Sequence, residues 1–353
     1  MRLTKKIFLI IAKIFIISTL FSQENSYPFY VSGGVPINEY TLFANSGWDG
    51  NWYVGYNMCW IKRFKNEFLP PNIEDFSEVY VGVKLGRAKI QQKPNSAPWE
   101  KEVIKGKIYV GFSSTTSWKY NQRYFLCETQ DIPTEGDWEN AITTAGESRW
   151  FYTEIPLQEI STDEDLWVCV YSETPYLINI SSSPVLAGGW RERKQKDTNV
   201  WLNNQIMGTP PIQPENALLT SIRAFDPAII LKFVPKGVEK NVEISVSKIT
   251  DGRQDTEEKV FFIDTKTPNI ERVWMEISQD GTNWKKISRY QYNLPFVFNL
   301  NLSSIPHDIL GDFYIRFGAN DIFENVGYSS NIQLNISRIT KETPSEKIKQ
   351  KKK

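Results

Sequence analysis

Histidine is almost missing from this sequence: His307 is the single one in 353 residues. One imidazole excludes the multi-histidine zinc sites and repeated-histidine ligand sets. Its setting, Ser303-Ser304-Ile305-Pro306-His307-Asp308, holds neither a nucleophile motif nor a companion ligand, so it reads as a loop residue. Cysteine is nearly as scarce. Cys59, Cys127 and Cys169 lack the short paired spacing of a metal ribbon or a redox motif. Each sits in an apolar, strand-like run, where three buried thiols and one disulfide plus one thiol fit equally well. No glycine-rich phosphate loop or serine nucleophile elbow occurs. Helical periodicity is missing as well, with only residues 137–145 reading as briefly helical. Strands that do not alternate with helices disfavour doubly wound and barrel α/β folds.

Net charge is also absent, because 41 basic residues balance 41 acidic ones, but the placement is uneven. Residues 1–22 hold four basic residues and no acidic one, and residues 338–353 hold seven basic against two acidic. The body between them, 23–337, is left at net −9. An acidic body lacks the positive field that nucleic acid requires, so no nucleic-acid partner is expected. Arg2, Lys5 and Lys6 ahead of the apolar stretch 7–21 give the order of a secretory signal peptide, with Ser22 at its end. That stretch falls short of the roughly 18 to 20 residues of a membrane span, and Lys13 interrupts it. Export to the medium or the cell surface is therefore expected, with no integral membrane segment after processing. The tail 338–353 has the composition of a basic disordered segment.

What the chain does have is short β-type runs. In the first part these are residues 52–61, 78–85, 107–113, 122–127, 166–171 and 229–234. Val79, Val81, Val83 and Leu85 alternate, as one covered sheet face requires. A boundary falls near Pro235-Lys236-Gly237, and seven further runs follow in 242–249, 259–263, 272–278, 284–288, 296–302, 312–319 and 331–336. Seven strands in about 100 residues is the count of an immunoglobulin-like sandwich. Asp280-Gly281 marks a tight hairpin, with Trp284 as packing on its far side. The expected plan is all-β: signal peptide 1–22, a tryptophan-rich sandwich 23–235, an immunoglobulin-like sandwich 241–337, then the tail.

Three segments, "FIDTKTPNI", "SQDGTNWKKI" and "FYIRFGANDIFENVGYSS", make residues 241–337 resemble the bacterial immunoglobulin-like or fibronectin type III-like modules of secreted proteins. That resemblance implies a spacer or adhesion unit without a universal active site. More loosely, "SEVYVGVKLGRAK", "GKIYVGFSST" and "LWVCVYSETPYLINISSSPVLAGGW" resemble extracellular jelly-roll modules. In the sugar-binding members of that group, loops at one end or one sheet face hold the ligand.

Candidate chemistry narrows to three kinds. Carboxylates for a glycosidase pair are offered by Glu128, Asp131, Glu135 and Asp137, and by Asp163, Glu164 and Asp165. Oxygen ligands for calcium are offered by Asp251, Asp255 and Glu257, and by Asp321 and Glu324, although neither stretch matches a calcium loop. No cofactor or metal is assigned. Tryptophan is the strongest signal, since ten of twelve lie between Trp48 and Trp201 and place the functional interest in the first domain. Trp52, Trp60 and Trp167 read as core, whereas Trp48, Trp118, Trp138, Trp190 and Trp201 stand in polar or glycine-rich contexts. An exposed indole beside amide or guanidinium groups stacks on a sugar ring and orients its hydroxyls, and it suits a protein interface equally well. The preferred ligand-binding residues are Trp190 with Arg191, and Trp201 with Asn203 and Asn204. The leading expectation is a non-catalytic binder of carbohydrate. A structural or adhesion protein docking on an extracellular or envelope protein comes second, and a hydrolase with two carboxylates third.

Overall fold

The computed structural model describes residues 27–42, 52–115, 118–134, 147–190, 200–203, 208–210, 219–221, 225–252, 258–302, 305, 309 and 311–336. The leader, the tail, Trp48, Trp138, Arg191, Asn204, Asp255, Glu257, His307 and the 137–145 segment lie outside them. The described residues are β-strands, turns and single-turn 3-10 helices, in an all-β, multi-sheet, sandwich-like architecture. The chain divides into two compact units, Met1–Val238 and Glu239–Lys353.

In the first unit the strand Phe76–Gly86 organises one sheet, with Ile229–Pro235 on one edge and Ser148–Ile155 on the other. Phe29–Val31 extends that sheet beyond Ile229–Pro235, and Val185–Leu186 pairs with the end of Phe76–Gly86. The second sheet runs Leu219–Ser221, Val200–Asn203, Cys59–Phe64, Leu166–Ser172, Lys107–Ser113, Arg123–Glu128. Named strands of both sheets pair antiparallel. The alternation read in the sequence is what joins them. Val79, Val81, Val83 and Leu85 are fully buried and share one apolar cluster with Val110, Phe112, Val168 and Val170 of the opposing sheet. Each such side chain contributes about 1.5–3 kcal/mol by leaving water.

The 52–61 run behaves differently from a continuous strand. The strand begins at Cys59, and residues 52–58 fold back through a turn at Tyr56-Asn57, closed by a Gly55–Met58 bridge. Trp52 and Trp60 therefore meet across a reversal of the chain, stacked at 5.2 Å and 15°. Gly55 is needed there, since a Cβ would stand 2.4 Å from the Leu177 carbonyl oxygen.

The second unit also has two sheets around one core. Ile244–Asp251, Glu258–Thr265 and Phe296–Asn301 form the smaller one. The larger contains Lys285–Lys286, Ile270–Ser278, Gly311–Asp321, Val326–Tyr328 and Ile332–Ile336. Phe261, Phe298, Val273, Phe313 and Phe317 are among the buried residues they share. The described strands here number eight against the seven runs read from sequence; Val326–Tyr328 is the addition. It is three residues long, too short for alternation to mark it.

The Asp280-Gly281 hairpin is built by the aspartate. Its Oδ1 accepts from the Thr282 and Asn283 amides, both at 2.8 Å, and from the Ser278 hydroxyl at 2.9 Å, while Oδ2 accepts from Asn283 Nδ2. The backbone amides of Asn283 and Thr282 hold this carboxyl well below the ordinary carboxylate range. A depressed folded-state value means stability that is present above the unfolded pKa and lost as pH falls toward the folded one. Asp280→Ala is thus expected to lower the urea midpoint of this unit at pH 7. The difference from wild type should shrink between pH 4 and pH 2. A pH-independent difference would assign the effect to the turn backbone instead of the charge.

Candidate functional site

Burial sorts the tryptophans. Trp52 and Trp60 are core, and Trp118 and Trp167 are buried on the opposite side of the six-stranded sheet. Trp118 was expected among the loop residues with polar surroundings; it turns inward because Gly111 leaves it room. A Cβ at Gly111 would stand 2.6 Å from Cys169 Sγ and 3.0 Å from the Trp118 ring. Two described tryptophans reach solvent substantially, Trp190 at 49 % and Trp99 at 80 %.

Trp190 closes the short strand Gly188–Trp190, which pairs with Phe225–Pro227. Its ring meets the edge of Phe225 at 6.0 Å, and Phe225 in turn lies against Trp52 at 3.7 Å. The exposed indole is thereby seated on the core. Trp201 and Asn203 lie in Val200–Asn203, opposite Ile61 and Cys59 across one edge and Ser221 and Leu219 across the other. Trp190 and Trp201 thus belong to different sheets. Their predicted companions Arg191 and Asn204 fall outside the described residues.

A more extensive surface, unmarked in the sequence reading, covers the side of the six-stranded sheet that faces away from the main core. Cys59, Ile61, Trp118, Trp167, Cys169 and Tyr171 form its buried floor, with Tyr109 packed against them. Alternation places these residues there, since their neighbours Trp60, Val168, Val170, Ile108 and Val110 fill the main core. Tyr109 stacks on Tyr171 at 5.9 Å and 29°, and Phe125 meets Tyr109 edge-on at 5.9 Å. The Arg63 guanidinium lies 5.6 Å from the Trp167 ring, and that of Arg123 lies 5.9 Å from Tyr120. Tyr120 and Phe125 are exposed, Tyr109 is half-buried and Tyr171 is buried. The surface is therefore a graded aromatic shelf with cationic flanks. Burial pushes both phenols up, with the Glu173 carboxylate adding to it at each, so they remain neutral hydroxyls. The signal for this shelf was the alternation Tyr109–Gly111 and Arg123–Phe125 in runs already recognised as strands.

The three cysteines are buried and none is in a disulfide. Burial first, and the adjacent Cys59 next, push the Cys169 thiol well up, which makes it inert packing. Of the carboxylates proposed for chemistry, Glu135, Asp137, Asp255 and Glu257 lie outside the described residues, and four others are engaged within the fold. Asp165 accepts from the Asn66 amide at 3.0 Å and pairs with Arg63 at 3.8 Å. Asp251 pairs with Lys259, and Glu324 with Arg272 at 2.8 Å. Asp321 closes its own turn by accepting from the amides of Phe323 and Asn325. Among the described residues no three His, Cys, Asp or Glu side chains gather into a metal-holding group.

The second unit has its own aromatic face, but it is internally satisfied. Arg316 lies between the rings of Trp284 at 4.2 Å and Tyr328 at 3.9 Å, and it pairs with Glu276 at 2.7 Å. Trp274 donates to the same carboxylate at 2.8 Å. This ladder binds strands to each other, and Trp284 packs the hairpin as expected.

No protein-family model matches the chain, and no curated protein does. Solved structures overlay it only loosely. The glycoside hydrolase domain of Endo-D from Streptococcus pneumoniae R6 has 10 % identity over 74 % of this chain, with a TM-score of 0.22. A β-1,2-glucanase from Parabacteroides distasonis has 9 % identity over 80 %, with a TM-score of 0.23. This chain spans only 30 % and 31 % of their respective lengths. A GH2 β-galacturonidase from Eisenbergiella tayi overlays 88 % of this chain and 43 % of its own, at 6 % identity and a TM-score of 0.17. Overlays at these scores carry no argument about fold or activity.

Proposed function

We propose that this is an exported, non-catalytic protein that recognises carbohydrate, with a jelly-roll-like first unit as the binding module. An immunoglobulin-like second unit presents it at the cell surface or in the medium. The observation that carries the reading is the shelf of Tyr109, Phe125 and Tyr120 over a buried aromatic floor. Flat rings offer sugar C–H groups a face, while neutral phenols, Arg123 and Glu173 offer the hydroxyls partners. Because packing already holds Tyr109 and Tyr171, ordering them on binding costs little side-chain entropy. The engagement of Asp165, one of the carboxylates named for a hydrolase pair, by the Asn66 amide and Arg63 supports binding over catalysis.

The test is glycan-array and affinity-electrophoresis binding by the full chain, compared with Tyr109→Ala/Phe125→Ala and with Trp190→Ala. Loss of the two shelf rings should weaken retention by at least about tenfold, equivalent to ~1.4 kcal/mol, with the far-ultraviolet circular dichroism unchanged. Binding untouched by the double change but abolished by Trp190→Ala would move the site to the Gly188–Trp190 strand. A folded wild type that retains no glycan would defeat the proposal, and retention of an envelope protein on the same shelf would favour the adhesion alternative.

A further inference from the structure

The most exposed of the described tryptophans belongs to neither surface. Ile90–Gln92 and Lys101–Val103 pair as a small separate hairpin, and Trp99 stands just before its second strand at 80 % exposure. Its loop is well defined. The Lys93 amide donates to the Glu100 carbonyl at 2.9 Å, the Glu100 amide to Ala97 at 2.9 Å, and the Ser96 hydroxyl to Lys93 at 2.7 Å. Asn95 takes the left-handed turn position at φ 57°, which asparagine tolerates better than most residues.

Charge distinguishes this hairpin from everything around it. Residues 87–107 carry six basic side chains against two acidic, net +4, inside a body of net −9. The two carboxylates are partly occupied, Glu100 by Lys93 at 3.9 Å and Glu102 by the Gln91 amide at 3.2 Å. Lys93, Lys101, Lys105 and Lys107 are exposed, as are Gln91, Gln92 and Asn95. At the hairpin base, the half-exposed Tyr176 donates its hydroxyl to the Lys105 carbonyl. An indole projecting from a field of ammonium and amide groups matches a ligand with an apolar ring face, negative charge and hydroxyls on the same small unit.

We propose that this hairpin is a recognition element for anionic polysaccharide, with Trp99 stacking on a pyranose ring. Lys93, Lys101 and Lys105 meet its carboxylate or sulfate groups. The inference rests on the carbohydrate reading and adds a substrate class to it. Positive charge on a negative body gives the ligand's charge a place to dock. The amides at Gln91, Gln92 and Asn95 favour a polyhydroxylated ligand over a lipid surface, which one indole with the exposed Ile90, Pro94 and Pro98 would anchor only weakly.

The experiment uses the full chain and three variants, Trp99→Ala, Lys101→Gln/Lys105→Gln, and the shelf change Tyr109→Ala/Phe125→Ala. Probes are polygalacturonate and chondroitin sulfate, a neutral galactan, and phosphatidylcholine vesicles with and without phosphatidylglycerol. Wild type should retain an anionic polymer more strongly than galactan, and raising salt from 50 to 500 mM should erase that preference, as screening of exposed charges requires (a Debye length of ~10 Å at 0.1 M). Trp99→Ala and the lysine variant should each lose about tenfold on the anionic polymer (~1.4 kcal/mol), with galactan binding unchanged. Equal retention of the anionic polymer by wild type and both hairpin variants overturns the inference and leaves the shelf proposal standing. Retention of no polymer by wild type defeats both. Trp99-dependent capture of anionic vesicles without polymer retention overturns it in favour of a membrane contact.

Discussion

Replacing Lys62 with methionine is expected to destabilise the first unit by about 3–5 kcal/mol, the usual loss when one member of a buried ion pair is removed. Lys62 and Asp226 are 1 % and 0 % exposed and meet at 2.9 Å. The ammonium spends its other donors on the carbonyls of Pro227 at 3.2 Å and Ile229 at 2.7 Å. Asp226 also accepts from the Tyr40 hydroxyl. Burial and the neighbouring carboxylate push that phenol up, so it stays a donor. The pair therefore ties three chain segments together: the N-terminal stretch through Tyr40, the Cys59–Phe64 strand through Lys62, and Phe225–Pro227 through Asp226. Methionine fills similar volume but takes the ammonium from a carboxylate in the core and from the carbonyls of Pro227 and Ile229. Lys62→Met/Asp226→Asn removes both charges and should recover part of the loss, because the residues act on each other and their effects do not add. Urea unfolding followed by tryptophan fluorescence reads the change, since ten of the twelve indoles belong to this unit. A shift below about 1 kcal/mol for Lys62→Met would mean that water reaches the site and solvates Asp226.

That network marks a limit of what the residue order reveals. Lys62 sits in "CWIKRF" beside Arg63, where its charge reads as outward-facing although its parity with Trp60 and Phe64 points to the core. Its opposite fate depends on Asp226, 164 residues away, and no local pattern announces such a partner. The strands themselves were far more legible. The 107–113 run matches the strand Lys107–Ser113 end for end, and the seven runs after residue 240 each contain or overlap a strand. Alternation is a local consequence of the pleat, so it can be read from a short window. Ser148–Ile155 shows no clean alternation, because Phe151 and Ile155 share their parity with Arg149 and Thr153 while Trp150 and Tyr152 place rings on the other.

The binding surfaces were legible in kind but not in place. Tryptophan enrichment pointed to the first unit, yet it did not separate Trp118, which turns inward over Gly111, from Trp99, which stands in solvent. Both lie in polar stretches that contain serine and lysine. Their difference comes from a glycine on a neighbouring strand in one case and a separate hairpin in the other. The shelf residues are tyrosine and phenylalanine inside strands, a composition equally suited to a core. Only register shows which side of the sheet they occupy.

Phe225 joins the core to the exposed indole, and its removal should be felt at both ends. The side chain is fully buried, with its ring 3.7 Å from Trp52, 5.8 Å from Trp60 and 6.0 Å from Trp190. Gly188 accommodates it, since a Cβ there would stand 2.1 Å from the ring. Phe225→Ala opens a cavity that the stacked Trp52 and Trp60 cannot close without losing their own contact, so the cost should be about 3–5 kcal/mol. Phe225→Leu keeps most of the volume and should cost less than half of that. The expected signature is a lower urea midpoint together with greater acrylamide quenching of Trp190. The quenching is resolved by subtracting the same measurement on Trp190→Ala variants. Trp190→Ala alone removes a half-exposed ring and should shift the midpoint by less than about 1 kcal/mol. If Phe225→Ala lowers stability while Trp190 quenching stays at the wild-type level, the indole is held by its strand backbone and not by the aromatic seat. In that case a binding role for Trp190 would survive changes in the core beneath it.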